Sequence, residues 1–130
     1  MADGNVYPFL RYRDAHAAVR WLCDAFAFRE KAVFTAPDGT VAHAELDTGG
    51  GVVMLGAAKD DALGMRTPRE AGGVTGGIYV RVEDPDAHHR QAVAAGAEVV
   101  AEPREMEYGS REYACRDPEG QLWSFGTYRP

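Results

Sequence analysis

Apolar and polar residues alternate along residues 6–12, the period of a strand with one buried face. Asp14 then precedes a segment in which Ala17, Ala18, Trp21, Leu22 and Ala25 recur at helical spacing. An Asp in that place accepts the unpaired amides of a first turn, so the pattern predicts a helix capped by Asp14. Residues 29–36 and 40–47 read as strands joined by Pro37, Asp38 and Gly39, a strong turn signal, and residues 51–56 as another strand after a glycine turn. The succession then starts again. A strand is predicted at 77–83 and a helix at about 85–95, with Pro85 in its first turn and Gly96 at its end. Strands follow near 97–101, 110–116 and 121–127, the last two joined by the turn from Asp117 to Gly120.

The second half repeats the first. A shift of 70 residues places Phe9 on Tyr79, Leu10 on Val80, Arg11 on Arg81, Asp14 on Asp84 and Ala17 on Ala87. It also places Ala44 on Ala114, Asp47 on Asp117, Gly50 on Gly120, Leu55 on Phe125 and Gly56 on Gly126. The reading is an α+β chain of two βαβββ repeats, about 5–57 and 75–128, with a linker at 58–74, all within one domain spanning 1–130. The 130-residue length suits one such domain.

Composition narrows the class. At 45% hydrophobic the chain is too apolar for disorder, yet it has no run approaching the ~20 apolar residues of a membrane helix. The start, Met1 to Phe9, lacks the basic and apolar regions of a signal peptide, so a cytoplasmic location is expected. The net charge is −6 and the arginines are scattered, which argues against nucleic acid as a partner. Cys23 and Cys115 sit in apolar segments and read as buried free thiols.

Three segments carry a family resemblance: LRYRDAHAAVRWL, VRVEDPDAHHRQAVAAGAEVV and YGSREYACRDPEGQLWSFG. Over nearly its whole length the chain resembles the vicinal oxygen chelate superfamily of glyoxalases, bleomycin resistance proteins and dioxygenases. The last segment, and Pro8 in the first strand, look most like the drug-binding, bleomycin-resistance-type members. The resemblance implies curved mixed sheets around a cleft, and a homodimer that covers open sheet edges, in some members by strand exchange.

Metal-dependent members hold a divalent ion with His and Glu from four strands. The matching positions here are Tyr7, Met54, Gly77 and Ser124. These do not suit a divalent cation, which needs several imidazole or carboxylate donors. No metal and no cofactor is therefore expected. His16, His88 and His89 read as surface or capping residues. His43 and Glu45, two apart on a strand, share a face. They form a hydrogen-bonded pair within the sheet, half of a metal site or, if the chain is an enzyme, its catalytic pair. Ser124 has no sequence-related partner for nucleophilic work, and Gly49 to Gly51 lead into a strand rather than a phosphate-binding helix.

Strand parity instead puts Tyr7, Phe9 and Arg11, with Tyr79 and Arg81, on the cleft side, and Met54, Ser124 and the loop residue Tyr108 complete the expected ligand-binding set. Met106, ahead of Tyr108 in the same loop, is a further candidate for the cleft's mouth. Gly77 leaves room beside Tyr79 for a ring, while Trp21 and Trp123 read as core. Aromatic faces with a few polar edges suit a flat, mostly apolar ligand. The expected function is metal-independent binding of a planar aromatic or peptide antibiotic. The alternatives are a glyoxalase-like lyase or isomerase and an accessory carrier of an antibiotic-biosynthesis intermediate. The expected partners are that small molecule and a second copy of the chain, with neither nucleic acid nor membrane.

Overall fold

The computed structural model describes residues 4–130. The elements in order are β1 (Phe9–Tyr12), α1 (Ala15–Phe26), β2 (Arg29–Thr35), β3 (Val41–Asp47), β4 (Val52–Ala57) and α2 (Pro68–Ala71). The second series is β5 (Ile78–Arg81), α3 (Pro85–Ala94), β6 (Glu98–Glu105), β7 (Arg111–Arg116) and β8 (Leu122–Gly126). Each βαβββ half makes a four-stranded mixed sheet, in the order β1-β4-β3-β2 and β5-β8-β7-β6. The first and last strands of each half run parallel, and the other neighbours run antiparallel.

The chain divides into two compact units. Among the described residues, one comprises those up to Cys23 together with 27–67, and the other 24–26 together with 68–130. No helix among the described residues is long and apolar enough to cross a membrane.

Both long helices start as the sequence dictates. The Asp14 carboxylate accepts the Ala17 amide and the Asp84 carboxylate the Ala87 amide, each at 3.1 Å. Pro85 opens α3, and Gly96 follows its end with φ at 97°. The other long helix ends differently, on Ala27 at φ 60° and ψ 27°, a left-handed position usually given to glycine.

In the first unit the inner layer takes Tyr12, Ala44, Leu46, Val53 and Leu55, all buried. In the second it takes Val80, Tyr113, Cys115, Trp123 and Phe125. Phe26, at the end of α1, stacks its ring among Trp123 and Phe125, with centroids 5.3 and 4.6 Å away.

Five expectations change. The strand expected near 97–101 runs on to Glu105, through Pro103. Proline is tolerated there because β6 is an edge strand and its register shifts between Ala101 and Arg104. The linker contains a helical turn, opened by Pro68 in the place where a missing amide costs nothing. Trp21 and Cys23 are half-buried rather than core, whereas Cys115 is fully buried and its thiol is pushed up to about 12 by burial and then by Asp117.

His88 is not a surface residue. Its ring lies 4.1 Å from that of Phe125, its Nδ1 accepts a hydrogen bond from the Tyr113 hydroxyl, and its Nε2 donates to the Phe26 carbonyl at 3.1 Å. His89 packs edge-on against Tyr113 and stands 2.9 Å from the Glu102 carboxylate. His16 donates to the Gly39 carbonyl at 2.8 Å.

Finally, the 70-residue shift is not constant. Asp47 faces Val52 across a turn of residues 48–51, but Arg116 faces Leu122 across residues 117–121, one residue more. In the sheets, therefore, Ala44 corresponds to Tyr113, and Asp117 lies in a turn while Asp47 ends a strand.

Candidate functional site

Alternation gives each sheet one face buried in its unit and one face left open. On the open face of the first sheet, Phe9 stands beside Met54, Met54 beside Glu45, and Glu45 beside Ala32, a row crossing all four strands. The next row has Arg11 beside Gly56 and, two strands on, His43 beside Phe34. Phe9 and Phe34 are 49% and 58% exposed, large apolar rings held out on a sheet.

The polar members of this face are tied down. His43 Nε2 lies 2.9 Å from Glu45 Oε2, and the imidazole is roughly parallel to the Phe34 ring at 6.2 Å. Arg11 is only 9% exposed and donates to Asp61 at 3.2 Å, which holds that carboxyl below the usual range against the opposing effect of burial. Tyr7 points its hydroxyl at the Gly4 carbonyl, 2.7 Å away. It lines a groove of about 930 Å³ with Val6, Arg29, Lys31, Asp47 and Val52.

On the second sheet the corresponding row is Tyr79, Ser124, Ala114 and Ala101, followed by Arg81, Gly126, Glu112 and Arg104. Tyr79 is less free than Phe9. Its hydroxyl donates to the Tyr128 carbonyl at 2.7 Å, and its phenol is pushed up by burial and then by the Glu112 charge. Gly126 makes this possible, because a Cβ there would lie 2.9 Å from that hydroxyl and 2.5 Å from Glu112 Cγ. Arg81 contacts Glu83 and donates to the Thr127 carbonyl at 3.3 Å. Tyr108 meets Tyr128 edge to face at 5.6 Å, and its phenol is pushed up chiefly by a hydrogen bond with Glu112. The space over Gly77 is not open for a ring: Leu122 fills it, with side-chain atoms 3.2 and 3.3 Å from where a Cβ would stand.

The expected residues thus fall into two groups. Phe9, Arg11, His43, Glu45 and Met54 share the open face of the first sheet, with Tyr7 ahead of β1 in the groove it lines with Asp47 and Val52, and Tyr79, Arg81 and Ser124, with Tyr108 beyond the strands, belong to the second. Asp61, Phe34, Glu112 and Tyr128 complete these faces without having stood out in the sequence. Phe34 had a signal, its place in an alternating strand, but the irregular register between Glu30 and Ala32 obscures which face it takes.

The superfamily's divalent metal does not fit the residues here. The positions matching its ligands carry a phenol and a glycine without side chain, just ahead of β1 and β5, and a thioether and a hydroxyl on β4 and β8. Among the described residues no three His, Cys, Asp or Glu side chains come together to hold an ion.

Comparison with known proteins gives one answer. The chain is 35% identical over 121 residues to the uncharacterized protein Mb0911c of Mycobacterium bovis, covering 92% of this chain and 80% of that one. The crystal structure of TioX from Micromonospora sp. ML1 superposes with a TM-score of 0.78 at 34% identity, covering 98% of each chain. The fosfomycin resistance protein FosX of Mesorhizobium loti shares the fold, with a TM-score of 0.67 at 16% identity over 99% of this chain and 94% of that one. The Glyoxalase/Bleomycin resistance protein/Dioxygenase superfamily profile matches residues 6–125. With its two βαβββ halves and that match, the chain belongs to the glyoxalase/bleomycin resistance protein/dioxygenase superfamily.

Proposed function

We propose that the chain is a metal-independent binding protein of the bleomycin-resistance type, which sequesters a planar aromatic or peptide antibiotic, or its chromophore, without turnover. The observation that carries this reading is the row of Phe9, Met54 and Glu45 on an open sheet face, with Phe34 beside it. Exposed rings next to a polarizable thioether form a platform for a flat ligand, at a position where catalytic relatives keep metal donors. The same reading includes a homodimer, since edge strands and open faces of this kind need cover.

Calorimetric titration with bleomycin and with fused bicyclic aromatics tests the binding, and sedimentation equilibrium tests the dimer. Saturable binding that is unchanged by a chelator supports the reading. Binding that requires an added divalent ion overturns it. A second reading, a lyase or isomerase, rests on the His43–Glu45 pair at 2.9 Å. It replaces the first if a bound compound is converted to product and His43→Ala stops the conversion.

A further inference from the structure

The His43–Glu45 pair has a polarity that a binding site can use. With Nε2 donating to the Glu45 carboxylate across the 2.9 Å contact, the neutral form of the imidazole carries its lone pair on Nδ1. No hydrogen bond from Nδ1 to a described residue occurs, while the ring lies beside exposed Phe34 on the open face. Of the other polar groups on this face, Arg11 is engaged by Asp61 and Tyr7 by Gly4. The face therefore offers an incoming ring one fixed neutral acceptor. Phe9 lies two strands away and one row along, about 12 Å by the sheet spacings.

We propose that His43 is a specificity-determining residue whose Nδ1 accepts a hydrogen bond from a hydroxyl on the ligand's aromatic ring, so that the chain selects hydroxylated over alkoxylated or unsubstituted fused rings. This rests on the binding function proposed above and names the chemistry of its ligand. Glu45 is the positioning residue, acting through the imidazole.

The test uses 2-naphthol and 2-methoxynaphthalene, which share a ring system and differ in the donor. Titration of the full chain, followed by probe fluorescence, is expected to give about three- to tenfold tighter binding of the naphthol, the worth of one neutral hydrogen bond. His43→Phe keeps an aromatic face and is expected to bring the ratio to about one. His43→Gln, which retains a donor for Glu45 and an acceptor for the ligand, should restore part of the preference. Glu45→Gln releases the tautomer and should lower the ratio while His43 remains. Circular dichroism of each variant establishes that it is folded. If both probes bind wild type equally, or the preference survives in folded His43→Phe, the role of His43 is overturned and the aromatic platform stands. If neither probe binds, the platform falls and this inference with it.

Discussion

The indole N–H of Trp123 donates to the Asp117 carboxylate at 3.0 Å, and both residues are buried. The other carboxylate oxygen takes the backbone amides of Glu119 and Gln121, at 3.0 and 3.1 Å. One side chain thus closes the turn between β7 and β8 and satisfies the largest buried ring of the second unit. Asp117→Ala leaves three donors short of an acceptor and is expected to lower the unfolding free energy by about 2–4 kcal/mol. Asp117→Asn retains one acceptor oxygen and should cost roughly half as much. Urea titration monitored by fluorescence decides, and a loss under about 0.5 kcal/mol for Asp117→Ala would remove this account of the turn.

That turn also marks where sequence reading stopped. The helix caps at Asp14 and Asp84, the outer strands and the alternation of faces were all legible, because each is set by local chemistry or by a period of two. Turn length leaves no periodic trace, so the 70-residue shift sets Asp117 opposite Asp47, although the turn it closes is one residue longer. The same limit applies to the site. Parity put Phe9, Arg11 and Met54 on one face, but only the fold reveals that Asp61 engages Arg11 from the loop beyond β4. Likewise Leu122 fills the space at Gly77, and His88, on a helix with little apolar patterning, turns into an aromatic cluster.

Ala27 follows α1 at φ 60°, the only non-glycine residue with positive φ among the described residues. A left-handed conformation costs an L-residue about 1–2 kcal/mol, partly offset by the larger unfolded-state entropy of glycine. Ala27→Gly is therefore expected to stabilise the fold by about 0.5–1 kcal/mol. The measurement is a shift of the urea midpoint to higher concentration at unchanged slope.

His88 makes stability depend on pH. Burial lowers the affinity of its imidazole for a proton in the folded chain, and the hydrogen bond to the Phe26 carbonyl opposes this only in part. The unfolded chain therefore takes up the proton first as the medium is acidified below about pH 6.5. Stability is expected to be full above that value and to fall as pH drops from it toward the lower folded-state value. Asp47, Asp61 and Asp86 are held below 3.8, so the stability they supply is lost only at lower pH, in a separate window. Urea midpoints at pH 7.5 and about pH 5 should differ for wild type and converge for His88→Gln. Equal midpoints in wild type would mean that the imidazole is not held neutral.

Ring deletion separates the two sheet faces. Phe9 is half exposed beside Met54 and makes no hydrogen bond through its side chain, so Phe9→Ala should leave the fold nearly as stable as wild type. A planar ligand seated on that ring gains about 0.5–1.5 kcal/mol from stacking in addition to the area it buries. Its loss should weaken a bicyclic aromatic roughly tenfold. Tyr79 is different, because its hydroxyl lies against Gly126 and donates to the Tyr128 carbonyl. Tyr79→Phe removes only that anchor, and Tyr79→Ala removes the ring as well. If Tyr79 stacks on ligand, Tyr79→Phe keeps most of the affinity and Tyr79→Ala loses about tenfold. Should Tyr79→Phe alone abolish binding, Tyr79 acts by holding the segment at Tyr128 and not as a platform. Calorimetric titration of the three variants against one bicyclic ligand makes the distinction, and unchanged affinity in folded Phe9→Ala would take the ligand off the first sheet.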